Sequence, residues 1–310
     1  MKSSKNIVKI IFNINGRTGY VTRYLNLLCN NYNQNICFDL LIINEKKNKF
    51  INRKFKNLNI INTFANEKIC GMNDIFREIY NSQIILKKYK YCCFVEDDNF
   101  IFPKSLSESK VFLDKNSGFI ACTGKSFIFS KTNKQNYYYL NKYTSPNKNL
   151  FNNIYQRFKH YNGALCYYSL FRINFFLKIL KLITQINDDN MSEVFFNYLT
   201  IKFGKINQLN NIYLARQYPR PKIYNIPDRT TWISNENLLK DIHFIMKTID
   251  ANYSSELLDN SIYKYISIKL YKKNKKINFK DKVIYLISKY KFYFFNYKII
   301  KNFINNLHEL

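Results

Sequence analysis

The sequence predicts an α/β fold built on a mainly parallel sheet with helices on its faces. Two patterns carry that expectation. Over the first hundred residues, short unbroken apolar runs alternate with stretches of helical spacing. A cluster of acids, Glu96-Asp97-Asp98, stands at the end of one such run, and the ligand crevice of a parallel sheet opens at the carboxyl ends of its strands.

The elements follow in order. Ile7 to Ile14 reads as a strand, Asn15-Gly16-Arg17-Thr18-Gly19 as a turn, and Tyr20 to Asn31 as a helix with Tyr20, Tyr24, Leu25 and Leu28 at helical spacing. Cys37 to Ile43 makes a second strand and Leu58 to Ile61 a third, and Ile69 to Lys88 is a helix leading into a strand over Tyr91 to Val95. Beyond the acids, Gly118 to Ser130 reads as a strand pair and Tyr137 to Phe158 as an aromatic-rich loop or lid. Tyr161 to Tyr168 is a further strand before a helix over Phe175 to Ile183. The polar segment Asn187 to Glu193 precedes a helix over Val194 to Phe203, which Gly204 stops. From about residue 235 the pattern turns helical, basic and aromatic, which divides the chain into an α/β domain over 1–235 and a helical extension over 236–310.

At 310 residues, with 46% hydrophobic and 17% aromatic residues but only 7 Gly and 5 Pro, the chain can bury a substantial core and is neither disordered nor a low-complexity repeat. Its formal net charge of +28 reflects 49 Lys+Arg against 21 Asp+Glu. The lysines are spread among Asn, Ile, Tyr and Phe, as AT-rich codon usage would spread them. No zinc-finger spacing or Gly-aromatic RNA-binding signature accompanies them, so nucleic acid is not the expected partner. An anionic membrane surface suits the charge better. Within Asp281 to Leu310, Tyr285, Tyr290, Phe292 and Tyr297 lie among lysines, although such a segment can equally pack on the domain as an amphipathic helix. No stretch reaches the ~20 apolar residues of a membrane span, and the first strand, interrupted by Lys9, lacks the apolar core of a signal peptide, so a cytoplasmic location is expected. Seven cysteines without CxxC spacing read as reduced thiols.

In so basic a chain, three adjacent acids call for a cation to offset their repulsion. Carboxylate oxygens suit Mg²⁺ or Mn²⁺, and Mg²⁺ is commonly held by one or two carboxylates together with substrate phosphates, which implies a nucleotide-type ligand. A solvated acidic turn closing the strand is the plain alternative.

Taken together, the strand ending in Asn15-Gly16-Arg17, the strand ending in Glu96-Asp97-Asp98 and the segment Asp188-Asp189-Asn190-Met191-Ser192-Glu193 resemble a GT-A-fold glycosyltransferase of the family 2 type. The likeness is to a bacterial group with a DDD-like cluster and a late block, present here as Ser192-Glu193, Tyr198-Leu199, Gly204-Lys205, Leu209, Tyr213 and Arg216-Gln217. It spans roughly residues 5 to 235 and departs from the pattern at Glu96, where Asp is usual.

The resemblance implies a UDP-sugar donor, a glycan or lipid-linked acceptor, Mg²⁺ or Mn²⁺, and an inverting transfer in surface glycan synthesis. Asp98 would hold the metal, and Asp97 would share it or touch the ribose. Asn15, Arg17, Glu96, Asp97 and Arg216 would contact the nucleotide-sugar, with Arg229 a further candidate for the diphosphate. The attacking hydroxyl needs a carboxylate to take its proton, for which Asp189 comes first, Asp188 next and Glu193 last, because Glu193 can instead cap the following helix. Competing classes are a nucleotidyltransferase, for which no Gly-rich phosphate loop is evident, and a non-catalytic basic module that binds membranes or polyanions. A glycosidase also uses two carboxylates, but it has no call for an acidic triplet with a metal.

Overall fold

The computed structural model describes residues 6–13, 18–46, 55, 57–132, 136–143, 146, 148, 150–162, 164–186, 188–218, 240, 244, 247 and 296–307. Strand β1 (Ile7–Asn13) pairs in parallel with β2 (Asp39–Asn44) on one side and with β4 (Tyr91–Phe94) on the other, and β3 (Ile60–Phe64) extends the parallel set beyond β2. Every residue of β1, β2 and β4 is buried, which explains why these strands read as unbroken apolar runs. The second half of the sheet contains β5 (Phe100–Ile101), β6 (Phe119–Lys131), β7 (Tyr137–Tyr143), β8 (Leu170–Arg172) and β9 (Lys205–Gln217). The strand order is β3-β2-β1-β4-β8-β6-β9-β5, with β7 paired to β6. Strands β1, β2, β3, β4, β6 and β9 run the same way and β5, β7 and β8 oppose them, so the sheet is mostly parallel, as expected.

Helices flank both faces. On one side, α2 (Met72–Asn81), α6 (Ile173–Ile183) and α7 (Asp189–Phe203) close over an aromatic cluster in which Phe76 and Phe196 stack at 5.3 Å. On the other side α1 (Thr18–Asn31) sets Tyr24 against Phe100, with the ring centroids 5.4 Å apart. The remaining helices are α3 (Gln83–Leu86), α4 (Pro103–Lys115) and α5 (Ile154–Lys159).

Residues 296–307 form a helix on the α1 side. It buries Ile300, Phe303, Ile304 and Leu307, one stripe at helical spacing, and the Phe303 ring lies 5.3 to 5.7 Å from those of Phe100, Phe102, Phe127 and Phe129. Burying such a ring contributes roughly 2–3 kcal/mol. This part of the extension therefore packs on the α/β domain. Among the described residues, no helix is long and apolar enough to cross a membrane.

Several elements differ from expectation. Gly118 to Ser130 is one long strand, β6, and not a pair. Gly124 does not turn the chain; a Cβ there would come within 2.3 Å of Asn211 and 2.8 Å of Tyr213, and the pairing with β9 slips in register beside it. The glycine marks a close approach of two strands. The expected helix over Ile69 to Lys88 is broken at Ser82 into α2 and α3. Part of the expected lid is ordered as β7, which forms a hairpin with β6, and as α5. The strand expected over Tyr161 to Tyr168 lies further on, as β8.

Candidate active site

Polar side chains gather where β1, β2, β3, β4 and β9 end. After β4 the chain makes a tight turn, closed by the Asn99 N–H donating to the Glu96 carbonyl at 3.1 Å, and returns as β5. Asp97 and Asp98, 4% and 3% exposed, are buried in this turn although they are adjacent carboxylates. Glu96, which is half-buried, latches the turn. Its Oε2 accepts from Asn99 Nδ2 at 2.7 Å and from the Tyr168 hydroxyl.

Asn99 also reaches the end of β9, where its Oδ1 accepts from the Gln217 N–H at 3.1 Å. That bond holds Arg216 beside the acid turn, its guanidinium 5.6 Å from the centroid of the Tyr168 ring. Gln217 Oε1 in turn accepts from Arg23 of α1 at 2.8 Å, and the same guanidinium donates to the Tyr137 hydroxyl of β7 at 2.7 Å. The hydroxyl of neighbouring Tyr167 has its pKa pushed up, first by burial and then by the charges of Glu193, Tyr168 and Glu96, while Arg216 opposes them. Glu96, Glu193 and Arg216 therefore act on one point.

On the other flank, asparagines close the strand ends. Asn13 of β1 donates to Asn44 of β2 at 2.9 Å, and Asn44 donates to Asn62 of β3 at 3.2 Å. The Thr18 hydroxyl at the start of α1 donates to Asn13 at 3.1 Å. This gives the crevice a floor of amides beside the acids.

Asp188 and Asp189 lie where α2 and α7 begin. Asp188 is the N-cap of α7, its Oδ1 accepting from the Met191 N–H at 2.7 Å. The capping role weighed for Glu193 thus belongs to Asp188, and Glu193 sits further along α7. Asp189 serves the other helix. The N-cap of α2 is Gly71, which has no side chain to offer, and the Asp189 carboxylate takes its place by accepting from the Asn73 N–H at 2.7 Å. The pKa of Asp189 is raised, chiefly by burial, while the Asn73 N–H pulls it down.

A Cβ on Gly71 would lie 1.8 Å from Asp189 Oδ2, although the Gly71 φ of −161° suits any residue. Gly71→Ala is therefore expected to cost about 1–3 kcal/mol in chemical denaturation, the usual penalty for overpacking, and to displace the Asp189 carboxylate.

Glu96, Asp97, Asp98 and Arg216 thus come together, with Glu193 nearby and Asp188 and Asp189 at the α2–α7 junction. Asn15, Arg17 and Arg229 lie outside the described residues. Sequence reasoning did not find Asn99, Tyr168, Arg23 or the asparagine floor. The floor did leave a signal, an Asn at the end of each of the first two strands. Among the described residues, no group of three or more His, Cys, Asp and Glu is disposed to hold a metal. Asp97 and Asp98 alone fit a partial shell for Mg²⁺ or Mn²⁺, offering hard carboxylate oxygens that phosphate and water can complete.

No family model matches the chain, and no curated protein matches it in sequence. Solved structures do match in shape. S. aureus TarS 1–349 in complex with UDP-GlcNAc aligns with a TM-score of 0.55 at 13% identity, covering 89% of this chain and 77% of that one. The chain shares the fold of S. aureus TarS. TarS 1–349 in a second structure gives a TM-score of 0.51 at 13% identity over the same shares, and a longer TarS gives 0.50 at 13% identity, with 85% of this chain covering 43% of it. At such identity the likeness to TarS concerns architecture, the mostly parallel sheet with helices on its faces.

Proposed function

We propose that this chain is a glycosyltransferase that moves a sugar from a UDP-type nucleotide donor to a hydroxyl of a glycan or lipid-linked acceptor, in bacterial surface polysaccharide synthesis. The observation that carries the reading is the buried Asp97 and Asp98 pair at the end of β4, latched through Asn99 to the strand end bearing Arg216. A shared fold with a protein crystallised with UDP-GlcNAc supports it.

Asp98, with Asp97 beside it, would hold Mg²⁺ or Mn²⁺, and such an ion, when bound, offsets negative charge on the departing diphosphate. Arg216, together with Arg17, pairs with phosphate oxygens through its planar guanidinium. Asn15 and Glu96 would contact the nucleotide-sugar.

The attacking hydroxyl gives its proton to a carboxylate. Asp188 and Asp189 each cap a helix with one carboxylate oxygen, and Glu193 acts on the buried Tyr167. Asp189 fits best: the Asn73 N–H fixes one oxygen, and burial raises the pKa, making it a stronger proton acceptor than an exposed aspartate. One base and one displacement invert the anomeric centre.

Calorimetry with UDP, with and without Mn²⁺, tests the reading. The expected result is binding that requires the ion. A lack of UDP affinity under both conditions would favour the basic-module alternative, and binding indifferent to Mn²⁺ would remove the metal from the mechanism. A mass-spectrometric screen of nucleotide-sugar hydrolysis then identifies the donor.

A further inference from the structure

A cleft of about 900 Å³ lies beside the C-terminal helix, and what it binds is independent of how the acid turn is read. Its apolar part comprises Phe102 and Ile212, both buried, and Tyr297 and Ile299, which are 42% and 45% exposed. Three exposed lysines line it: Lys104 from the first turn of α4, and Lys298 and Lys301 from the helix. The Lys301 ammonium sits 5.4 Å from the Tyr297 ring centroid. Against these cations the lining holds, among the described residues, a single acid, Glu108, whose carboxylate accepts a hydrogen bond from Asn211.

We propose that this cleft and the adjacent helix face dock on a bilayer containing anionic phospholipid. The lysines match headgroup phosphates, while the exposed tyrosine and isoleucine enter the boundary between headgroups and acyl chains, where an aromatic flanked by lysines is favoured. A soluble polyanion would use the lysines but gain nothing from Tyr297 and Ile299. The strand β5 alone separates Phe102 from Asn99, so docking here holds the acid turn close to the membrane surface.

Cosedimentation of the full chain with vesicles tests this, using phosphatidylcholine alone and phosphatidylcholine with phosphatidylglycerol. The variant Lys104→Glu/Lys298→Glu/Lys301→Glu is compared with Lys87→Glu/Lys88→Glu/Lys181→Glu, which makes the same charge change at exposed lysines elsewhere. Near an anionic surface each lysine contributes about fivefold in affinity. The cleft variant is therefore expected to lose binding to the anionic vesicles at least about tenfold more than the control variant. Tyr297→Ser/Ile299→Ser is expected to weaken binding severalfold with the charge unchanged. Equal losses in the two lysine variants, or unchanged vesicle binding by Tyr297→Ser/Ile299→Ser, would overturn the proposal, as would equal binding to neutral vesicles. Circular dichroism confirms that each variant is folded.

Discussion

Asp98→Ala is expected to lower kcat/KM for sugar transfer by about a thousandfold while leaving the protein as stable as its parent, or more so. Both halves follow from the turn after β4. Asp97 and Asp98 are adjacent carboxylates with almost no exposure, and like charges held side by side repel. A group kept there for stability would be a poor choice, because removing one of two repelling charges relieves the fold. An acid that merely closed a turn would behave in the opposite way, with its loss costing about 0.5–2 kcal/mol and sparing activity. Steady-state kinetics with the donor identified by the hydrolysis screen, paired with guanidinium denaturation, separates the two cases. A fully active Asp98→Ala enzyme would remove the acid turn from the chemistry. Asp189→Asn divides the labour further. It should abolish transfer yet keep Mn²⁺-dependent UDP affinity, because Asp189 is held at the α2–α7 junction by the Asn73 N–H and not within the acid turn.

The parallel half of the fold was legible because burial on both faces writes β1, β2 and β4 as apolar runs. Ile7 to Asn13 and Asp39 to Asn44 could hardly be mistaken. The other half was harder to see. Strand β9 reads KINQLNNIYLARQ, with too many amides to look buried, yet it lies between β6 and β5 and carries Arg216 to the crevice. The effect of Gly124 depends on Asn211 and Tyr213, which lie some ninety residues away and which no local pattern can bring near. The acids show the same division. Glu96-Asp97-Asp98 was recognisable as a local cluster of like charge, and the expected helix after Asp188 is present, although it begins at Asp189 and not at Val194. That Asp189 would supply the cap missing at Gly71 depends on tertiary contact between α2 and α7, and the sequence offered only a glycine before a helix.

Lys9 carries the second large effect. It occupies the middle of β1 with no exposure. Its ammonium lies 4.5 Å from the centroid of the Tyr24 ring and 5.4 Å from those of Phe38 and Phe100, and it donates to the Ile101 carbonyl at 3.3 Å. The ionisable neighbours that act on it, Cys93 and Cys37, are thiols and not carboxylates. Burial lowers its pKa from the ordinary 10.5 to about 7, with those cysteines opposing weakly. The folded protein therefore releases this proton near pH 7, whereas the unfolded chain keeps it until about 10.5, so the unfolded state binds more protons in between and stability rises with pH. The rise cannot continue indefinitely. The Cys93 thiol is pushed up to about 12 and that of Cys92 also upward, so both stay neutral in the fold while they ionise when unfolded, and stability falls again above about pH 9. Between pH 7 and 9 the lysine should contribute a gain of about 2–3 kcal/mol. Lys9→Met keeps a similar volume and discards the charge. It is expected to stabilise the protein by about 2–4 kcal/mol at pH 7, less at pH 9, and to flatten the slope between them. Urea denaturation of both proteins across that range measures the effect. A parallel pH dependence in the two would mean that Lys9 is protonated in the folded state throughout, and that its aromatic surroundings hold the ammonium better than burial opposes it.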